Sequence, residues 1–221
     1  MPFYAKNTPR LREIALCAAE GSEAYQPGAI VSIVFAAIAV ESFVNDLVDD
    51  VSWSGLGELD PALARLRELA AAVIEKHTRL LRKIQVIHVA LIGKRCDRGQ
   101  QPFQDLDLLL RLRNALVHSR PETLSAVDAI SQAGVPTHHQ PAPHPLVARL
   151  VERGIVPSPP KDVLTSLLAV LHHPRVAVWA YNTAVAVNSH LIALVPNSGW
   201  QETLSVGVAG PLLAMPPLKE A

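Results

Sequence analysis

Arg113, Asn114 and His118, in the stretch "LLLRLRNALVHSRP", are the side-chain types that cut a phosphodiester without a metal. A histidine near neutrality moves a proton to or from a ribose 2′-hydroxyl or a leaving 5′-oxygen. An arginine offers a planar fork to the phosphate and stabilises the charge that builds in the transition state. Asn114, one helical turn before His118, is placed to orient the imidazole or to bind phosphate. Such chemistry leaves a 2′,3′-cyclic phosphate and a 5′-hydroxyl. The spacing alone has little specificity. An arginine followed five residues later by a histidine is expected about 0.6 times by chance in this composition. Arg82 with His88, and Arg111 with His118, satisfy looser versions, so the neighbouring sequence has to supply the context.

The element that carries these residues reads as a helix opened by Pro102 and closed before Pro121. At about 100° per residue, Leu106, Leu109, Leu110, Leu116 and Val117 gather on a core-facing side. Gln104, Asp107, Arg111, Asn114 and His118 gather on the other. Arg113 falls within the leucine face, where an unpartnered guanidinium is costly. An acidic or carbonyl-rich partner is therefore predicted. The segment "AIAVESFVNDLVDD" repeats Glu41, Asn45 and Asp49 on one helical face, and a Glu41–Arg113 pair would relieve both misplaced charges.

Two arrangements remain open. Either the helix unwinds before Pro121 and swings His118 round, or Arg111 is the phosphate ligand and Arg113 is structural. Plainer roles exist for each residue. His118 suits a helix C-cap, Asp105 and Asp107 suit the positive end of the helix dipole, and Glu41 and Asn45 suit buried polar supports.

"LLLRLRNALVHSRP" resembles the end of the signature helix of the HEPN superfamily, marked by arginine, four to six residues, then histidine. "AIAVESFVNDLV" is similar to an earlier helix in many members, where a glutamate and an asparagine sit a turn apart. The likeness covers roughly residues 25–125. It implies an all-α, up-and-down bundle of about 5–7 helices that forms a homodimer, with the motif helices facing each other across a cleft. It implies a metal-independent endoribonuclease without cofactors, of toxin–antitoxin, abortive-infection or other anti-phage type. Arg113 and His118 would be the catalytic pair, supported by Asn114, Arg111, Glu41 and Asn45, with RNA as substrate and an antitoxin protein as partner. Other members have lost cleavage and serve as adaptors that dimerise or bind a nucleotide or a protein. One subclass carries a tyrosine two residues after the histidine as a target for modification. Arg120 stands there in this chain, which argues against that regulation. A helical scaffold in which the motif is coincidental is a third reading.

Composition sets limits on these readings. With 49% hydrophobic and 18% charged residues, the 221-residue chain folds around a sizeable core. Lys+Arg and Asp+Glu both number 20, so nucleic-acid contact has to come from a local patch rather than a basic surface. Cys17 and Cys96 form no CxxC pair, which fits a reducing compartment, although one bridge stays open. The N-terminal segment lacks a signal-peptide core, and "AIVSIVFAAIAV" stops at Glu41, short of the roughly 20 residues that cross a bilayer. A cytoplasmic protein, away from membranes, is expected.

Four regions are expected: a helical core over 1–133, a Pro/His-rich loop region over 134–161, a C-terminal helix within 162–195 packing on the core, and an irregular tail over 196–221. Thr8 is predicted to cap a helix running to about Glu20, and a second helix follows "QPG" to about Val51. Asp60-Pro61 starts a third, whose stripe runs to Leu91 as one helix or two broken near His77-Thr78. "PETLSAVDAISQAG" reads as a short helix, and so does the stretch around 146–153. His138, His139, His144, His172 and His173 match no metal-ligand spacing and read as solvated loops, while Trp179, Tyr181 and Asn182 read as packing residues.

Overall fold

Pro9, Pro61, Pro145 and Pro174 each stand in the first turn of a helix, and Pro102 stands at a cap. A missing N–H costs nothing there, because the first turn has no intrahelical acceptor for it. The computed structural model describes residues 6–22, 27–52, 60–73, 79–118, 128–130, 136–138, 144–159, 166–196 and 199–218. The helices are α1 (Thr8–Glu20), α2 (Gly28–Ser52), α3 (Pro61–Val73), α4 (Leu80–Ile92) and α5 (Phe103–Val117), followed by α6 (Pro145–Glu152), α7 (Leu167–Leu171), α8 (Pro174–Leu194) and α9 (Gly199–Ser205). The fold is all-α, as predicted. Seven of these helices have eight residues or more, while α7 and α9 are short.

The core is one continuous cluster centred on α2, which packs against α1, α3, α5 and α8. Small residues make the close approaches possible: Ala15 and Ala19 on α1, Ala36 and Ala37 on α2, Ala177, Ala180 and Ala184 on α8 are all buried. The fully buried Ser32 hydroxyl donates to the Ala177 carbonyl at 2.9 Å, tying α2 to α8. By length and composition alone α2 is apolar enough to cross a membrane, yet 56% of its apolar window is buried inside this core.

Gly28, the first residue of α2, lies close against the backbone at the end of α1. A Cβ added there would lie 2.8 Å from the Ala18 carbonyl oxygen and 3.3 Å from the Ser22 Cα. Both are backbone atoms, so neither can swing aside. Gly28→Ala is expected to destabilise by about 1–3 kcal/mol in urea titrations, because the overpacking outweighs the small propensity gain at a helix's first residue. A neutral result would mean that the helices separate freely.

Local signals placed most boundaries. Asp60 caps α3, its Oδ1 accepting from the Ala62 N–H at 2.8 Å, and Gly93 ends α4 at φ 73°. The apolar stripe from Leu63 to Leu91 is carried by two helices, α3 and α4; His77 and Thr78 lie outside the described residues. His144 and His173 are N-caps whose Nδ1 atoms accept from Leu146 and Arg175 N–H groups, each at 3.2 Å. His138 is in a strand, His172 ends α7, and His139 lies outside the described residues. Cys17 and Cys96 are both free thiols, the first exposed and the second buried.

Four expectations are corrected. Thr8 is the first helical residue rather than the cap; its hydroxyl donates to Asp46 Oδ2 at 2.6 Å on α2, a long-range partner that local sequence does not reveal. The stretch predicted as a helix over 121–134 contains instead β1 (Asp128–Ile130), paired antiparallel with β2 (Pro136–His138), with Asp128 opposite His138. Gly134 and Pro136 do not favour continuing a helix, and β2 supplies a pairing partner that propensity cannot foresee. The tail beyond residue 196 contains α9. Its extended end lies along α8, where Asn182 exchanges two hydrogen bonds of 2.8 Å with the backbone of Leu213. The fourth correction concerns α5 and bears on the site.

Candidate functional site

On α5 the buried residues are Phe103, Leu106, Leu108, Leu109 and Leu112, while Leu110 and Leu116 are half-buried and Val117 is 56% exposed. The predicted leucine face is therefore rotated and cut short. The helix is held between α2, α8 and α6, which widens its buried arc in the middle and lets the last turn run off the core. That last turn carries the candidate residues.

Arg113 meets Glu41, as its misplacement on the apolar face predicted. Arg113 Nη2 donates to Glu41 Oε2 at 3.2 Å, joining α5 to α2. The side chains are 25% and 44% exposed, so the pair sits at the rim of the core. At that exposure an ion pair contributes roughly 1 kcal/mol or less, and its main effect is to fix the guanidinium. The buried Arg113 Nε has no hydrogen-bond partner among the described residues. Glu41 occupies one of the five N–H donors an arginine carries, leaving others for a ligand.

His118 follows the last helical residue, and its N–H donates to the Asn114 carbonyl at 2.9 Å. Its φ of −112° and ψ of 33° leave the helical values near −63° and −42°, which turns the side chain out of helical phase. The helix thus ends where one of the two open arrangements requires. Asn114 and His118 are exposed, and neither side chain has a hydrogen-bond partner among the described residues.

Arg111 faces another direction. Its Nε donates to Asp107 Oδ2 at 2.8 Å across one helical turn, and it lines a cleft between α5 and α6 rather than the α2 side. Asn45 is engaged elsewhere too, its Oδ1 accepting from Lys83 Nζ on α4 at 2.7 Å. The face that groups Glu41, Asn45 and Asp49 in sequence thus serves α5 with Glu41 and α4 with Asn45, while Asp49 is exposed.

Sequence reasoning missed two features. Arg98, Arg149 and Arg153 join Arg111 around the cleft, and their only signal was the four-residue spacing of Arg149 and Arg153. The second is a histidine pair, buried His88 on α4 and half-buried His190 on α8, with Nε2 atoms 3.1 Å apart and rings stacked at 12°. The Phe103 ring meets both imidazoles edge-on. Burial, then the neighbouring His190, lowers the His88 pKa to about 4, and burial lowers that of His190 as well. Nothing in the spacing of two residues on distant helices signals this contact. Among the described residues no group of three or more His, Cys, Asp or Glu side chains could hold a metal ion.

The chain matches no protein-family model, curated protein or solved structure.

Proposed function

We propose that this chain is a HEPN-type, metal-independent endoribonuclease that acts as a homodimer. The observation that carries the reading is the Glu41–Arg113 pair, which fixes a guanidinium on the last turn of α5, the helix end that also carries exposed and unengaged Asn114 and His118. His118 accepts the proton of a ribose 2′-hydroxyl as the oxygen attacks the adjacent phosphorus. The P–O5′ bond breaks, and the 5′-oxygen leaves with a proton returned by the imidazolium. Arg113 holds the phosphate and the added charge of the pentavalent transition state. Biological roles as a toxin with an antitoxin partner, or in anti-phage defence, belong to the same reading.

Incubation with single-stranded RNA in the presence of a chelator tests it. The expected products carry 2′,3′-cyclic phosphate and 5′-hydroxyl ends. Arg113→Ala is expected to lower kcat by about 10²–10³-fold, the cost of removing one donor to a developing oxyanion. Arg111→Ala is expected to act on KM instead. Intact RNA after incubation with the wild type would end the catalytic reading, and an unchanged kcat in Arg113→Ala would end that residue's role.

A second reading, a non-catalytic helical adaptor, draws on the 56% exposed Val117 next to His118, an apolar side chain suited to a protein face. It predicts intact RNA in the same assay.

A further inference from the structure

The cleft between α5 and α6 has a volume of about 480 Å³. That size is ordinary for a ligand site, where mostly apolar walls are the rule. Here the walls are charged or polar except for Gly99, and they include four arginines: Arg98, Arg111, Arg149 and Arg153. Such a lining excludes an apolar ligand.

The carboxylates orient these guanidinium groups as well as offsetting them. Asp107 accepts from Arg111 Nε at 2.8 Å and from Arg98 Nη2 at 3.5 Å, while Asp105 pairs with Arg153. Each of these three arginines spends one donor on a carboxylate and keeps the rest of its planar fork. Arg149 is exposed and has no acidic partner among the described residues. Against Asp105, Asp107 and Glu152, the four arginines leave one positive charge in surplus. In a chain of zero net charge, this is a local cationic groove with three of its four forks paired to carboxylates.

We propose that the α5–α6 cleft binds the phosphate backbone of single-stranded RNA. Several anion forks set along an open groove suit successive phosphates of one strand. The proposal rests on the ribonuclease reading for its choice of RNA. It also explains why Arg111 and Arg113 point apart: Arg113 serves the scissile phosphate, and Arg111 serves a phosphate elsewhere on the strand.

The test measures binding of a fluorescein-labelled single-stranded RNA of about 10–20 nucleotides. It uses the full chain carrying His118→Ala, in a chelator, over a range of salt. Arg149→Glu, added to that background, is expected to raise Kd about tenfold or more and to flatten the log Kd against log salt slope by about 0.7 or more. Arg10→Glu, an exposed arginine on α1, is the control of equal charge change. Arg149→Ala, with a smaller effect in the same direction, guards against a folding defect from the reversed charge.

Equal weakening by Arg149→Glu and Arg10→Glu would overturn the cleft as the site. Binding of inorganic phosphate without RNA binding would overturn the choice of ligand. Arg149-dependent RNA binding by a wild type that cuts no RNA would support the cleft while ending the catalytic reading. Cleavage with Kd unchanged in Arg149→Glu would do the reverse.

Discussion

His118→Ala is expected to slow RNA cleavage by about 10²–10⁴-fold, the usual contribution of a positioned general acid–base. The fold should hardly register the change. The His118 side chain is exposed and without partners among the described residues, and the backbone bond from its N–H to Asn114 survives in alanine. A favourable imidazolium–dipole interaction at the helix end amounts to roughly 1 kcal/mol at most. Loss of cleavage with an unchanged urea midpoint is therefore the signature of a site. If His118 were only a C-cap, the midpoint would shift and the rate would not. Cleavage assays and denaturation on the same preparation separate the two, and an undiminished rate would remove His118 from the mechanism.

Acid is expected to weaken the fold by about 3 kcal/mol through His88 in its pair with His190. His88 is 4% exposed, its Nδ1 has no hydrogen-bond partner among the described residues, and it lies against His190 and Phe103. Protonation there would place a charge in an apolar setting beside a second imidazole. In the native state its pKa is held near 4, whereas the unfolded chain titrates near 6.5. Between these values the unfolded state binds the proton and the native state does not. The stabilisation is complete above the unfolded value, declines as pH falls from 6.5 towards 4, and levels off below. His190 is lowered as well and adds an effect of the same sign.

Asp46 works in the opposite direction. Burial raises its pKa despite the Thr8 hydroxyl and Lys6, so its native carboxylate takes up a proton before the unfolded one does. For that reason the comparison needs a variant. His88→Leu is expected to remove most of the slope in unfolding free energy measured from about pH 7 down to about pH 4.5. The same slope in His88→Leu would place the acid sensitivity elsewhere.

Legibility followed the range of the interaction. The start of α3 at Asp60-Pro61, the end of α4 at Gly93 and the opening of α5 at Pro102 were readable, because caps and prolines act within one turn. Glu41–Arg113 was readable although the residues are 72 positions apart, because each was a charge on an apolar helix face and burial demands a partner. Lys83 on Asn45, and Asp46 on Thr8, gave no such warning, since each is a polar residue with ordinary solvent-facing alternatives. His88 and His190 were silent for a similar reason: a neutral imidazole is tolerated in a core or on a surface.

By itself the sequence determined an all-helical protein, most of its helix boundaries and the need for a polar partner at Arg113, with Glu41 as the candidate. Periodicity, caps and the cost of burying charge are set by nearby residues or by residue type. Tertiary structure alone decided that Arg111 faces α6, that Val117 is exposed and that four arginines share a cleft. Those outcomes depend on how far round α5 its neighbours reach. The buried arc of a helix is fixed by the helices packed against it, and no wheel drawn from one segment contains them.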